Sequence, residues 1–318
     1  MQLLRKSLLL VLGAALFFGM VGAVATWAPD KTVEELKPRW AQQPSQFVAL
    51  EGMQVHLRDE GPRGDAVPIV LLHGTSASLH TWEGWAAALR GQRRVIRMDL
   101  PGFALTGPNA SHDYSVGAYV HFVVALMNRM GVQRFVLVGN SLGGQIAWAT
   151  ALAVPQRVER LVLVDSAGYP FDAATQPLSE PIGFRLARTP GLRLVLQNLL
   201  PRGLVEQSVR DVYGDPTKVT PALVDLYFDT TLRSGNRQAL GLRLDQRSTD
   251  DAPRIKELKL PTLILWGGRD RLLVPEFGRR FARDIAGSRL VMFDDLGHVP
   301  HEEDPTRTVA EVKRFLDS

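Results

Sequence analysis

The sequence contains no cysteine. That excludes disulfides, thiolate metal sites, a cysteine nucleophile and a cysteine-linked lipid anchor. A chain exported to an oxidising compartment can do without disulfides when its core is large, and 318 residues suffice for such a core. An excess of one charge is also missing. Lys and Arg number 37 against 33 Asp and Glu, a net of +4, so a basic nucleic-acid surface is not expected. No internal repeat or low-complexity tract occurs. At 45% hydrophobic and 22% charged residues the composition is that of a folded globular chain.

One long stretch lacks charge altogether. Between Lys6 and Asp30 the residues are SLLLVLGAALFFGMVGAVATWAP, with no charged side chain among them. About 20 apolar residues span a bilayer as a helix, whereas the apolar part of a signal peptide runs about 7–15. Residues 1–29 therefore read as a membrane anchor. Arg5 and Lys6 ahead of them keep the N-terminus in the cytoplasm and put the rest in an extracytoplasmic, periplasmic-type space. Ala23-Val24-Ala25 also fits a signal-peptidase site, and cleavage near Ala25 would release a secreted protein. Residues 30–46 are polar and read as a linker.

Beyond the linker, FVAL and MQVHLRD flank a Glu-Gly turn and suggest an opening hairpin. Short apolar runs follow at 68–72, 95–98, 135–138, 161–164, 262–265 and 290–293, separated by helical patterns. This rhythm indicates an α/β fold, a mostly parallel central sheet with helices on both faces. Asp304 with Pro305 behind it marks the start of the last helix. The alternation breaks between residues 169 and 255, where helix-like spacing carries no obvious strand. That segment reads as a helical cap inserted into a core formed by 47–168 and 256–318.

Three residues converge on one chemistry. Gly139-Asn140-Ser141-Leu142-Gly143-Gly144 lies between an apolar strand and a helix, the strand–turn–helix setting of a nucleophile elbow. A serine hydroxyl needs a base. His298, just past the last strand, sits on the same rim as Ser141 and is preferred to His301, which begins a charged lead-in to a helix. The imidazole needs an acid, and Asp270 after the 262–265 strand is preferred to Asp165 after the 161–164 strand. The oxyanion donors are expected to be the N–H groups of Leu142 and of Thr75, the latter in the Gly74-containing loop after the first parallel strand. His73 reads as structural. A metal site built on His298, His301, Glu302 and Glu303 lacks a recognisable zinc spacing, and neither metal nor cofactor is expected.

Together these marks resemble the α/β-hydrolase superfamily over about residues 47–318: HGTSAS after the first parallel strand, Asp99-Leu100-Pro101-Gly102-Phe103 after the next, GNSLGG, WGGRD and GHVPHEE. The resemblance implies a Ser-His-Asp triad beneath a helical cap. It departs at Ala104, where the family carries glycine. Members with an aspartate nucleophile, the haloalkane dehalogenases and epoxide hydrolases, are disfavoured by Ser141. The wording of the elbow is similar to that of the carbon–carbon bond hydrolases of aromatic degradation. Their glycine-rich oxyanion loop and the tryptophan that commonly follows the histidine are absent here.

The leading expectation is hydrolysis of a small, apolar carboxylic ester through an acyl-enzyme. The alternative is a carbon–carbon bond hydrolase or a haloperoxidase-like enzyme using the same triad. A membrane-tethered binding protein that kept the fold but lost catalysis is a third reading, opposed by the complete triad. The stretch from Ile182 to Arg210 holds five arginines among leucines. It could rest on an anionic membrane, although such spacing more often packs leucines inward with arginines in water. Phe171, Phe184, Tyr227 and Phe228 make the cap apolar. Oligomeric state is not encoded in any feature of the sequence.

Overall fold

The computed structural model describes residues 22, 24, 26–178, 182 and 198–317. An eight-stranded sheet forms its centre, with strands β1 (Ser45–Leu50), β2 (Met53–Glu60), β3 (Ile69–Leu72), β4 (Val95–Met98), β5 (Phe135–Asn140), β6 (Val158–Val164), β7 (Thr262–Gly267) and β8 (Arg289–Phe293) in the order β1-β2-β4-β3-β5-β6-β7-β8. The expected hairpin is β1 with β2. β2 also runs antiparallel to β4, and every later pairing is parallel.

Alternation within each strand divides the core between two faces. In β3, Val70 and Leu72 join one cluster while Ile69 and Leu71 join the other. β5 and β7 behave likewise, with Leu137 and Ile264 on the first face and Val138 and Leu265 on the second. Helices α3 (Val116–Arg129), α4 (Leu142–Ala153) and α8 (Glu276–Asp284) cover the first face through Phe122, Ile146, Trp148 and Phe281. Helices α2 (Glu83–Leu89) and α9 (Pro305–Asp317) cover the second through Trp85, Leu89, Val312 and Phe315. Near-continuous apolar strands are the consequence of burial on both sides. The last helix starts as its sequence indicates: Asp304 Oδ1 accepts the Arg307 N–H at 3.1 Å, with Pro305 in the first turn.

Between β6 and β7 the described chain is helical: α5 (Arg202–Val212), α6 (Pro221–Thr231), α7 (Asn236–Asp245) and a 3₁₀ turn at Ala252–Glu257. Val209, Tyr213, Val219 and Val224 pack with Val299 as a separate small core. Tyr227, half-buried, leans on the same group.

Residues 30–46 differ from the polar linker expected. They contain α1 (Val33–Trp40), begun by a reciprocal Thr32–Glu35 capping box. Asp229 of α6 accepts from Lys31, Arg39 and the Trp40 indole, and Arg39 also reaches Asp225. Asp30 pairs with Arg237 of α7. Charges that suggested a solvated tether are ion-pair partners for the insertion, a complementarity between segments some 190 positions apart.

Most of the apolar segment 1–29 lies outside the described residues. Among the described residues no helix is long and apolar enough to cross a membrane. Ala104 explains its family departure: it has φ 42°, in the left-handed region where glycine is the easy residue.

Candidate active site

Parallel strands in register deliver their carboxyl ends to one rim. Leu72 pairs with Gly139, Gly139 with Leu163, and Val164 with Leu265. Ser141 therefore emerges beside the loops that follow β3, β6 and β7. Its backbone stands at φ 54°, ψ −117°, with its N–H donated to Val164 O at 3.1 Å. The glycines around it are steric requirements. A Cβ at Gly139 would collide with Gly143 O, one at Gly143 with Leu72 O, and one at Gly144 with the Ser166 hydroxyl. A Cβ at Gly74 would lie 3.2 Å from Ser141 Cβ, so the β3 loop approaches the serine closely.

His298 and Asp270 are almost completely buried and joined by a 2.7 Å hydrogen bond from Nδ1 to Oδ2. The other carboxylate oxygen accepts the N–H groups of Leu272 at 2.8 Å and Leu273 at 2.9 Å. Main-chain bonds hold His298 from both sides: its N–H donates to Val212 O at 2.8 Å, and its carbonyl accepts Asn140 Nδ2 at 3.0 Å. The same Asn140 amide donates to Val164 O at 3.1 Å. Ser141 and His298 line one cavity, together with Thr75 and Leu142. No hydrogen bond joins the Ser141 hydroxyl to His298 among the described residues, a separation common before substrate binds. Among the described residues the N–H groups of Thr75 and Leu142 have no protein acceptor, and that of Leu142 opens α4.

The runners-up have other employment. His301 is fully buried against Trp82, with ring centroids 4.0 Å apart, and its Nε2 meets the Thr81 hydroxyl at 3.0 Å. Burial drives its pKa far below the ordinary histidine value. Asp165 stands at φ 42° and accepts the Gly267 N–H at 2.9 Å, but does not bond His298. Burial and the charge of Asp270 push the Asp165 carboxyl well above the usual range. One ligand atom each from Asp165, Asp270 and His298 falls within 4.8 Å of the others. With the Asp270 oxygens and the His298 Nδ1 already engaged in hydrogen bonding, this is a poor donor set for a cation. Glu303 instead accepts the N–H groups of Gly214, Asp215 and Gly297, tying the insertion to the histidine loop. His73 is bonded to Gly74 O and to the Leu100 N–H, a structural role.

The cavity holds about 1060 Å³. Its far wall comes from the insertion: Leu204, Val205, Val209 and Val212 of α5, Tyr227 of α6, and Leu240 and Leu244 of α7. Phe171 and Tyr227, expected in the cap, line it. Phe228 does not, and Phe184 lies outside the described residues. Of the five arginines in 182–210, Arg185, Arg188 and Arg193 lie outside them too. Arg202 pairs with Asp225 and Arg210 with Glu206. Asn140, Val212 and Glu303 as holders of His298 were not foreseen, because their partners lie far away in the chain and no local motif encodes them.

A family profile described as alpha/beta hydrolase fold matches residues 67–305. This chain belongs to the α/β-hydrolase family. Curated relatives of this hydrolase include a 2-hydroxymuconate semialdehyde hydrolase of Pseudomonas putida, 27% identical over 88% of this chain and 96% of the relative. Solved structures include a bacterial membrane phospholipase A, 25% identical, TM-score 0.73, covering 99% of this chain and 97% of that one. A meta-cleavage product hydrolase of Pseudomonas fluorescens IP01 is 25% identical with TM-score 0.72, over 86% and 97% of the two chains. The curated activities favour the carbon–carbon alternative over the ester expectation drawn from the sequence.

Two predictions follow from the buried carboxyls. Asp270→Asn should lower kcat by about 10³–10⁴-fold, while Asp165→Asn, which mimics a protonated acid, should cost about tenfold or less. Comparable losses from the two would show that the acid has been misassigned. The second concerns Glu302, whose carboxyl lies between the insertion and the core and accepts the Tyr227 hydroxyl at 2.9 Å. Burial raises its pKa from 4.5 to about 7. The folded state thus holds this proton to higher pH than the unfolded chain, and the stability it lends below pH 4.5 is lost as pH rises through about 7. Denaturation of wild type and Glu302→Gln should show the wild type losing ground between those limits, on the order of 3 kcal/mol. Parallel curves for the two proteins would contradict this.

Proposed function

We propose that this chain is a serine hydrolase that forms an acyl-enzyme on Ser141 and that its substrate is a carboxylic ester with an apolar acyl chain. The observation carrying the reading is that His298, bonded to Asp270, lines the same cavity as Ser141. Ser141 Oγ attacks the carbonyl carbon, and His298 Nε2 takes the hydroxyl proton. Asp270 holds the other imidazole proton on Nδ1, which leaves Nε2 free to act as base, and steadies the imidazolium. The N–H groups of Leu142 and Thr75 receive the developing oxyanion, helped by the N-terminus of α4. His298 then returns the proton to the leaving alcohol, and a water activated by the same imidazole releases the acid.

Similarity to the membrane phospholipase A over nearly both whole chains supports the ester reading. So does Val299, which packs into the insertion's small core where carbon–carbon hydrolases commonly place tryptophan. The second reading, cleavage of a carbon–carbon bond next to a ketone by the same serine, is favoured by the curated relatives. We further propose that residues 169–255 act as the cap and that residues 1–29 anchor the enzyme with its catalytic domain outside the cytoplasm. Trp27 forms a β-bridge with Leu199 of the insertion and is 61% exposed, so the described end of the N-terminal segment lies against the insertion.

Wild type assayed side by side on medium-chain p-nitrophenyl esters and a vinylogous 1,5-diketone should prefer the esters. Ser141→Ala should fold normally and lose about 10³–10⁶-fold in turnover. Faster cleavage of the diketone would move the assignment to carbon–carbon hydrolysis. Retained ester activity in Ser141→Ala would remove the serine mechanism.

A further inference from the structure

Of the buried arginines among the described residues, Arg97 has two carboxylate partners, Glu60 and Glu83. Arg243 of α7 is different. It is only 3% exposed, it lines the Ser141 cavity, and its Nε and Nη1 have no hydrogen-bond partner. Among the described residues it forms no ion pair. The groups facing it are the Tyr119 phenol and a second cation, Arg247, which also lines the cavity. Arg237 and Arg247 on the same wall do have partners, Arg237 pairing with Asp30, and the carboxylate of Asp245 also lines the cavity.

A guanidinium keeps its charge at physiological pH, and an enclosed, unpaired one is costly to hold in a folded protein. Its planar fork matches the paired oxygens of a carboxylate or phosphate. The wall that carries it is tied to the nucleophile helix, since Gln145, one turn beyond Ser141, donates to Ser248 O at 2.8 Å. We propose that Arg243 anchors an anion subsite in the Ser141 cavity, taking an acidic oxygen group of the substrate, either a carboxylate or a phosphodiester. This rests on the reading above that the cavity binds substrate, and it narrows that reading to an apolar substrate bearing one anionic group.

Matched pairs test it. The p-nitrophenyl monoester of adipate is set against p-nitrophenyl hexanoate, and phosphatidylglycerol against diacylglycerol in the same detergent micelles. For at least one pair, kcat/KM should be about tenfold or more higher for the anionic member. The pair that responds identifies the carboxylate or the phosphodiester as the ligand. Arg243→Gln should reduce the ratio within that pair by about fivefold or more, and Arg243→Lys should restore part of it. A binding arm reads the subsite without turnover: the Ser141→Ala chain, titrated by calorimetry, should take monomethyl adipate about tenfold more tightly than methyl hexanoate, or glycerophosphoglycerol more tightly than glycerol. Wild-type ratios near one in both pairs together with no such binding preference would overturn the subsite, as would an unchanged ratio in Arg243→Gln. Loss of the serine reading is separable, because it would appear as turnover retained in Ser141→Ala while the binding preference persists.

Discussion

Asp270 and His298 meet in a 2.7 Å hydrogen bond between side chains nearly sealed from water, and the rest of the site is arranged to keep that bond in place. A buried carboxylate is stable only if its oxygens are occupied. Here the imidazole takes one oxygen and two successive N–H groups take the other. The histidine is confined in turn by the Val212 carbonyl and the Asn140 amide. Asn140 is adjacent to Ser141, so the residue that precedes the nucleophile sets the position of the loop that supplies the base. Asp165, whose carboxyl is pushed up by burial beside Asp270, bonds the Gly267 N–H and leaves the imidazole to Asp270.

Much of this was legible in the sequence because it is local. A serine between glycines after an apolar strand announces a strained turn, and Gly139 and Gly143 are confined by backbone carbonyls that admit no Cβ. Strand positions followed from runs buried on both faces, and the rim location of Asp270 and His298 followed from their place after β7 and β8. What was not legible depends on partners distant in the chain. Residues 30–46 look like a tether until Asp225, Asp229 and Arg237 of the insertion are brought beside them. Arg243 reads as one more basic residue on a helix, and its isolation emerges only once the surroundings are assembled. The choice between His298 and His301 was open for the same reason. Only the packing of His301 on Trp82 takes it out of contention.

The insertion reaches both the candidate triad and the cavity. α5 lends the Val212 carbonyl to His298 and its aliphatic side chains to the cavity wall. Glu303 ties the turn after α5 to the histidine loop. Movement of this insertion would therefore displace His298 as well as the cavity wall.

The central claim is that Ser141 is a nucleophile activated by His298. Covalent labelling of the full chain with a fluorophosphonate, followed by peptide mass spectrometry, tests it most directly. The account requires a single adduct on Ser141 and its loss in His298→Ala. No adduct, an adduct on another residue, or equal labelling without the imidazole would contradict it.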